Sequence, residues 1–69
     1  MKANLEIRQK IEFFGIRYWQ IAKKIGHSSD YFSKLMRYEL KPELKEKVLQ
    51  AINDIVKERA QEYARQVNG

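Results

Sequence analysis

Gly26 sits between two short runs of helically spaced apolar residues, and this arrangement constrains the chain more than any other feature. Before it, Ile21, Ala22 and Ile25 fall on one face of a helix predicted over 18–25. After it, Phe32 and Leu35, with Met36 able to join them, mark the inward face of a second helix over 29–37. Glycine suits the left-handed position that ends a helix, because it has no Cβ to clash there. Ser28, or alternatively Ser29, then caps the following helix. Two helices joined so tightly cannot lie antiparallel. They cross at a steep angle, and the second is left to project from the surface. Ala22 is small where the two should cross, which lets them approach.

The flanks supply the rest of a small helical core. Asn4 reads as the N-cap of a first helix over 4–14, without a capping box because Ile7 stands three residues on. Leu5, Ile7, Ile11 and Phe14 recur at helical spacing, with Phe14 rather than Phe13 in register for the core. Gly15 suits the position that closes this helix, and Ile16 and Arg17 lead to the next. Pro42 is favoured in the first turn of a last helix, where its missing N–H costs nothing. Glu43 and Glu46 lie where the helix dipole favours negative charge.

Leu44, Val48, Ala51, Ile52 and Ile55 form an apolar stripe, continued more weakly by Val56, Ala60, Tyr63, Ala64 and Val67. Unbroken to Gln66, this helix would run about 37 Å at 1.5 Å per residue. A domain of this size has an expected radius of gyration of only about 11 Å. Part of the helix must therefore project, bend or pack on something else, and Asn53 and Asp54 are the expected place for a break. The expectation is an all-α, compact four- to five-helix domain with a long C-terminal helix. It spans 1–69 as one domain, with its core over about 4–53 and an extension over about 54–69.

Composition narrows the function. The 69 residues contain no cysteine and one histidine, which leaves no disulfide framework or thiolate metal site. No Gly-rich phosphate loop is present, and one histidine without a motif is a poor catalytic base, so the chain reads as a non-enzyme with no cofactor. No apolar run approaches the roughly 18 residues of a membrane span. The N-terminus lacks the apolar stretch of a secretory signal. A cytoplasmic, nucleoid-associated protein is expected, with no membrane and no small-molecule ligand. The net charge is +5. From Arg17 to Lys41 there are six basic residues against two acidic, whereas all other positions carry eight against seven. A basic excess so localised favours a polyanionic partner.

The stretch from Tyr18 to Arg37 resembles the helix-turn-helix of Cro/CI-type (XRE family) transcriptional regulators, including many small phage and mobile-element repressors. The resemblance rests on apolar Ile21, Ile25, Phe32 and Leu35, on Ala22 and on Gly26, all at the family's spacing. The YWQIA opening and the FSKLMRYEL close also look like small Firmicutes regulators of this group. It covers roughly residues 4–53 and implies a lambda-repressor-like DNA-binding domain. His27 departs from the pattern, which has an inward Val or Ile there. It either packs neutral and partly buried or turns outward towards a phosphate. Trp19 also departs. It either packs under the last helix or marks a protein contact.

The second helix of the pair would enter the major groove of double-stranded DNA. With Phe32 and Leu35 inward, the residues left for base edges are Ser29, Asp30, Ser33, Lys34 and Arg37. Lys34 could read guanine O6 and N7. Asp30 either accepts from cytosine N4 or helps cap its own helix. Phosphate contacts are expected from Arg17, Tyr18, Gln20, Lys23, Tyr38 and Lys41. One such module is small for a specific site, so a homodimer is expected, with Ile55, Val56, Ala60, Tyr63 and Val67 as interface candidates unless they complete the core. The alternatives are a protein-interaction module using this fold or its C-terminal helix, and an architectural DNA-binding or recombination accessory factor.

Overall fold

The computed structural model describes the backbone of residues 3–68 and the side chains through Arg65. Four helices follow one another: α1 (Leu5–Phe14), α2 (Tyr18–Ile25), α3 (Ser29–Leu35) and α4 (Pro42–Asn68). No strand occurs among the described residues. The fold class is thus all-α, with a long C-terminal helix.

Both predicted glycine turns form. Gly15 and Gly26 have φ of 64° and 81°, a region that L side chains rarely adopt. After α1, the Ile16 N–H donates to the Ile11 carbonyl at 3.0 Å and the Gly15 N–H to Glu12 at 3.3 Å. After α2, His27 donates to Ala22 at 2.9 Å and Gly26 to Lys23 at 3.4 Å. Each pair is a Schellman closure, which satisfies carbonyls that a helix end would otherwise leave open.

The core gathers Ile7 from α1, Ile16 from the first turn, Ile21 and Ala22 from α2, and Phe32 from α3. Met36 and Leu40 join from the α3–α4 connection, and Val48, Ala51, Ile52 and Ile55 from α4. Packing joins α2 to both α3 and α4, and α1 to α4. Phe32 is fully buried, and its truncation to alanine would cost about 3–5 kcal/mol.

Five sequence expectations need correction. Phe14 is 36% exposed and lies outside the core, edge-on to Phe13 with ring centroids 5.0 Å apart. The Schellman closure folds the chain back one step later, so that Ile16 takes the core position. Helix α3 ends at Leu35 rather than near Arg37. The Arg37 and Tyr38 N–H groups reach back only three residues, to Lys34 and Leu35, in tight turns. Helix α4 does not break at Asn53 and Asp54. Ile52 and Ile55 are buried beside them and hold the helix in register, while the Gln50 amide donates to the Asp54 carboxylate one turn on at 3.2 Å. The helix projects instead, and the molecule is 43 Å long.

Asn4 is the fourth correction. It precedes α1, but its side chain makes no cap. It is 1% exposed and points into the α3–α4 connection. Its Nδ2 donates to the Met36 and Tyr38 carbonyls at 3.2 and 2.8 Å, and its Oδ1 accepts from the Leu40 N–H at 2.8 Å. Its own N–H donates to Glu39 Oε1 at 3.0 Å. A φ of 59° aims the side chain this way, and asparagine tolerates that conformation better than most residues. Arg8 adds to the tie, with Nε on the Ala3 carbonyl and Nη2 on the Met36 carbonyl, each at 2.8 Å.

The fifth correction concerns Ile55 and Val56. Ile55 is 5% exposed and belongs to the core, and Val56 packs against it half-buried. Their helical phase carries them inward with Val48 and Ile52, so they complete the core rather than offer an interface.

Candidate nucleic-acid interface

Phe32 anchors α3 in the core and Leu35 packs against it. That fixes which way the rest of the helix faces. Ser29, Asp30, Ser33 and Lys34 are all exposed, and Arg37 is exposed from the turn that follows. The Ser28 Oγ accepts the Tyr31 N–H at 3.2 Å, so Ser28 rather than Ser29 is the cap. Ser29 keeps its hydroxyl free of that duty. Asp30 lies in the first turn, exposed, where its charge favours the helix dipole.

Around this helix the charge is cationic. Arg17, Lys23 and Lys41 are exposed, and Tyr38 is 77% exposed at the start of the α3–α4 connection. Lys24 is engaged in an ion pair with Glu58 of α4.

Tyr18 and Gln20 are built into the scaffold more than the sequence suggests. The Tyr18 ring meets Phe32 edge-on, with centroids 5.2 Å apart, and its hydroxyl accepts from Arg8 Nη1 at 3.5 Å. The Gln20 Oε1 accepts the Arg17 N–H at 2.8 Å, closing the start of α2, and also accepts from Arg59 Nη2 at 3.4 Å. What each retains for an outside acceptor is a donor: the phenolic hydrogen of Tyr18 and the amide nitrogen of Gln20.

His27 is exposed, which settles its orientation outward. Its ring lies 5.0 Å from that of Tyr31, tilted by 51°. Tyr31 is 49% exposed on α3 and belongs to neither side of a division of that helix into inward and outward faces. At about 100° per residue, position 31 falls on the flank between Lys34 and Leu35.

Trp19 is 57% exposed and borders an open groove of about 490 Å³ between α2 and α4. Ile55, Glu58, Arg59 and Glu62 line its far side. Of the remaining interface candidates on α4, Ala60 and Tyr63 are exposed, and the Val67 side chain lies outside the described residues. No described helix is long and apolar enough to cross a membrane.

Comparison of the chain with protein-family models, with curated proteins and with solved structures found no match.

Proposed function

We propose that this chain is a sequence-specific DNA-binding transcriptional regulator of the Cro/CI type that inserts α3 into the major groove. The observation that carries the reading is the division of α3 into two faces. Phe32 is buried, while Ser29, Asp30, Ser33 and Lys34 stand exposed beside the cationic Arg17, Lys23, Arg37 and Lys41. An α-helix fits the major groove, and these side chains offer donors and an acceptor to base edges. The term repressor, and an origin in a phage or mobile element, rest on the helix-turn-helix resemblance alone.

Selection of bound duplexes from a random pool at two salt concentrations tests this. An enriched palindrome is expected, and Lys34→Ala should lose about 1–3 kcal/mol on that sequence with relaxed preference at one position. Lys23→Ala and Lys41→Ala should weaken all sequences alike, each reducing the salt slope by about 0.9. Binding with a steep salt slope but no enriched sequence would instead make the chain an architectural factor.

Two copies would place two α3 helices one DNA turn, about 34 Å, apart. Ala60 and Tyr63 are the exposed α4 residues for this contact. Sedimentation showing a monomer both free and on DNA would remove the dimer.

A second reading, a protein-interaction module, has its own support in the exposed rings of Phe13, Trp19 and Tyr63, 57–82% accessible. It predicts that alanine at Ser29, Ser33 and Lys34 leaves function intact while alanine at Trp19 abolishes it.

A further inference from the structure

The His27–Tyr31 pair has no role in base reading as assigned above, and nothing in the core requires it. Both side chains are exposed, one just before α3 and one upon it, with their rings 5.0 Å apart. They stand four positions apart in the chain, so each ring limits the freedom of the other. Tyrosine brings a hydroxyl donor and histidine an N–H donor.

The position of the pair decides what it can reach. The major groove is about 12 Å wide, and a helix with its side chains is about 10–12 Å across. A helix lying in the groove therefore points its outer face at base edges and touches the groove walls with its flanks. Those walls are sugar and phosphate. Tyr31 is on a flank: it lies about 100° from Asp30 and about 60° from Lys34, turned towards Leu35.

We infer that His27 and Tyr31 form a backbone clamp, donating hydrogen bonds to phosphate oxygens on one wall of the groove and so fixing the depth and register of α3. This inference rests on the DNA reading proposed above. The clamp adds affinity without sequence information, because phosphate contacts position a protein and base contacts specify the site. It also accounts for a histidine at the position after Gly26. At the equivalent position after Gly15 stands Ile16, which is buried, whereas His27 is turned out.

The test uses the full chain, the duplex selected above and an unrelated duplex. Tyr31→Phe removes only the hydroxyl, and His27→Ala only the imidazole. Both positions are exposed, so the thermal midpoint serves as a folding control. Each variant should lose about three- to tenfold in affinity on both duplexes, equally, with the preferred sequence unchanged. A methylphosphonate replacing one phosphate at the contacted position should produce the same loss in the wild type, and Tyr31→Phe should then lose nothing more.

A changed sequence preference in either variant would overturn the clamp in favour of base contact. Full affinity in both variants, while Lys34→Ala loses its site, would overturn the clamp and leave the DNA reading standing. Failure of the wild type to bind any duplex would overturn both.

Discussion

Two polar ties fasten this small fold, one at each end, and they are built in opposite ways. At the first, Asn4 is buried and joins α1 to the α3–α4 connection through Met36, Tyr38 and Leu40. At the second, Arg59 reaches from α4 to the Phe14 carbonyl at 2.5 Å and the Gly15 carbonyl at 3.3 Å, in the open. The Lys24–Glu58 ion pair lies beside it, also partly exposed. The first tie replaces water for the Leu40 N–H and the Tyr38 carbonyl, and shares the Met36 carbonyl with Arg8. The second competes with water that is already there. An intramolecular hydrogen bond is worth little when its partners can be solvated, and much when its loss strands buried groups. The two ends of the molecule should therefore respond very differently to deletion.

The largest effect is expected at Asn4. Alanine there strands the Leu40 N–H and the Tyr38 carbonyl, leaves the Met36 carbonyl to Arg8 alone, and places a Cβ-bearing residue with no polar side chain at a φ of 59°. A loss of about 3–4 kcal/mol is expected, with the thermal midpoint lowered by well over 10 °C for a domain of this size. Glycine separates the two causes. It accepts the positive φ while losing the same bonds, so Asn4→Gly should cost about 1 kcal/mol less than Asn4→Ala. Equal losses would show that backbone strain contributes nothing, and a loss below about 1 kcal/mol for both would break the comparison outright. The connection held by Asn4 also carries Arg37, Tyr38 and Lys41, so this tie positions one flank of the proposed interface.

Arg59→Ala comes next. The guanidinium sits where α1 ends, and a cation there favours the exposed carbonyls and the helix dipole. Because the site is exposed, about 0.5–1 kcal/mol is expected by chemical denaturation, much of it gone at high salt. Arg59→Met keeps the aliphatic stem. If it costs as much as alanine, the charge is responsible. If it costs nothing, packing of the stem is responsible.

These ties also show what could be read from the sequence. The helices, both glycine turns and most of the core followed from local spacing, because a 3.6-residue period and a left-handed turn are local properties. The division of α3 into inward and outward residues followed from Phe32 and Leu35 in the same way. Asn4 was read as a cap because asparagine is favoured at that position for local reasons, and its partners thirty-two to thirty-six residues away leave no mark in sequence. Arg59 was invisible for the same reason. Phe14 had the right phase for the core and still failed, because phase does not say where a helix runs out of core to cover it. Asn53 and Asp54 look like breakers, but intrinsic propensity is a weak prior beside two buried isoleucines. Tyr31 required asking which residues lie between faces, a question that an inward–outward division never poses.

The smallest effect belongs to the Lys24–Glu58 pair, and it sharpens the comparison because this pair carries full charges where Asn4 carries none. The side chains are 33% and 58% exposed. Exposed pairs contribute a median of about 0–1 kcal/mol, since Coulomb attraction in water is weak and two long side chains must be ordered. Glu58→Gln should therefore change stability by less than about 0.5 kcal/mol at moderate salt and by nothing measurable at 1 M. Under the DNA reading proposed above, it should nevertheless change duplex binding more than stability. With Glu58 neutral, Lys24 is released at the edge of the cationic surface formed by Arg17 and Lys23. Affinity for any duplex should rise modestly, with a steeper salt slope. A double-mutant cycle with Lys24→Gln measures whether the gain passes through that lysine. If Glu58→Gln destabilises the fold as much as Asn4→Ala does, then burial is not what separates the two ends of the molecule.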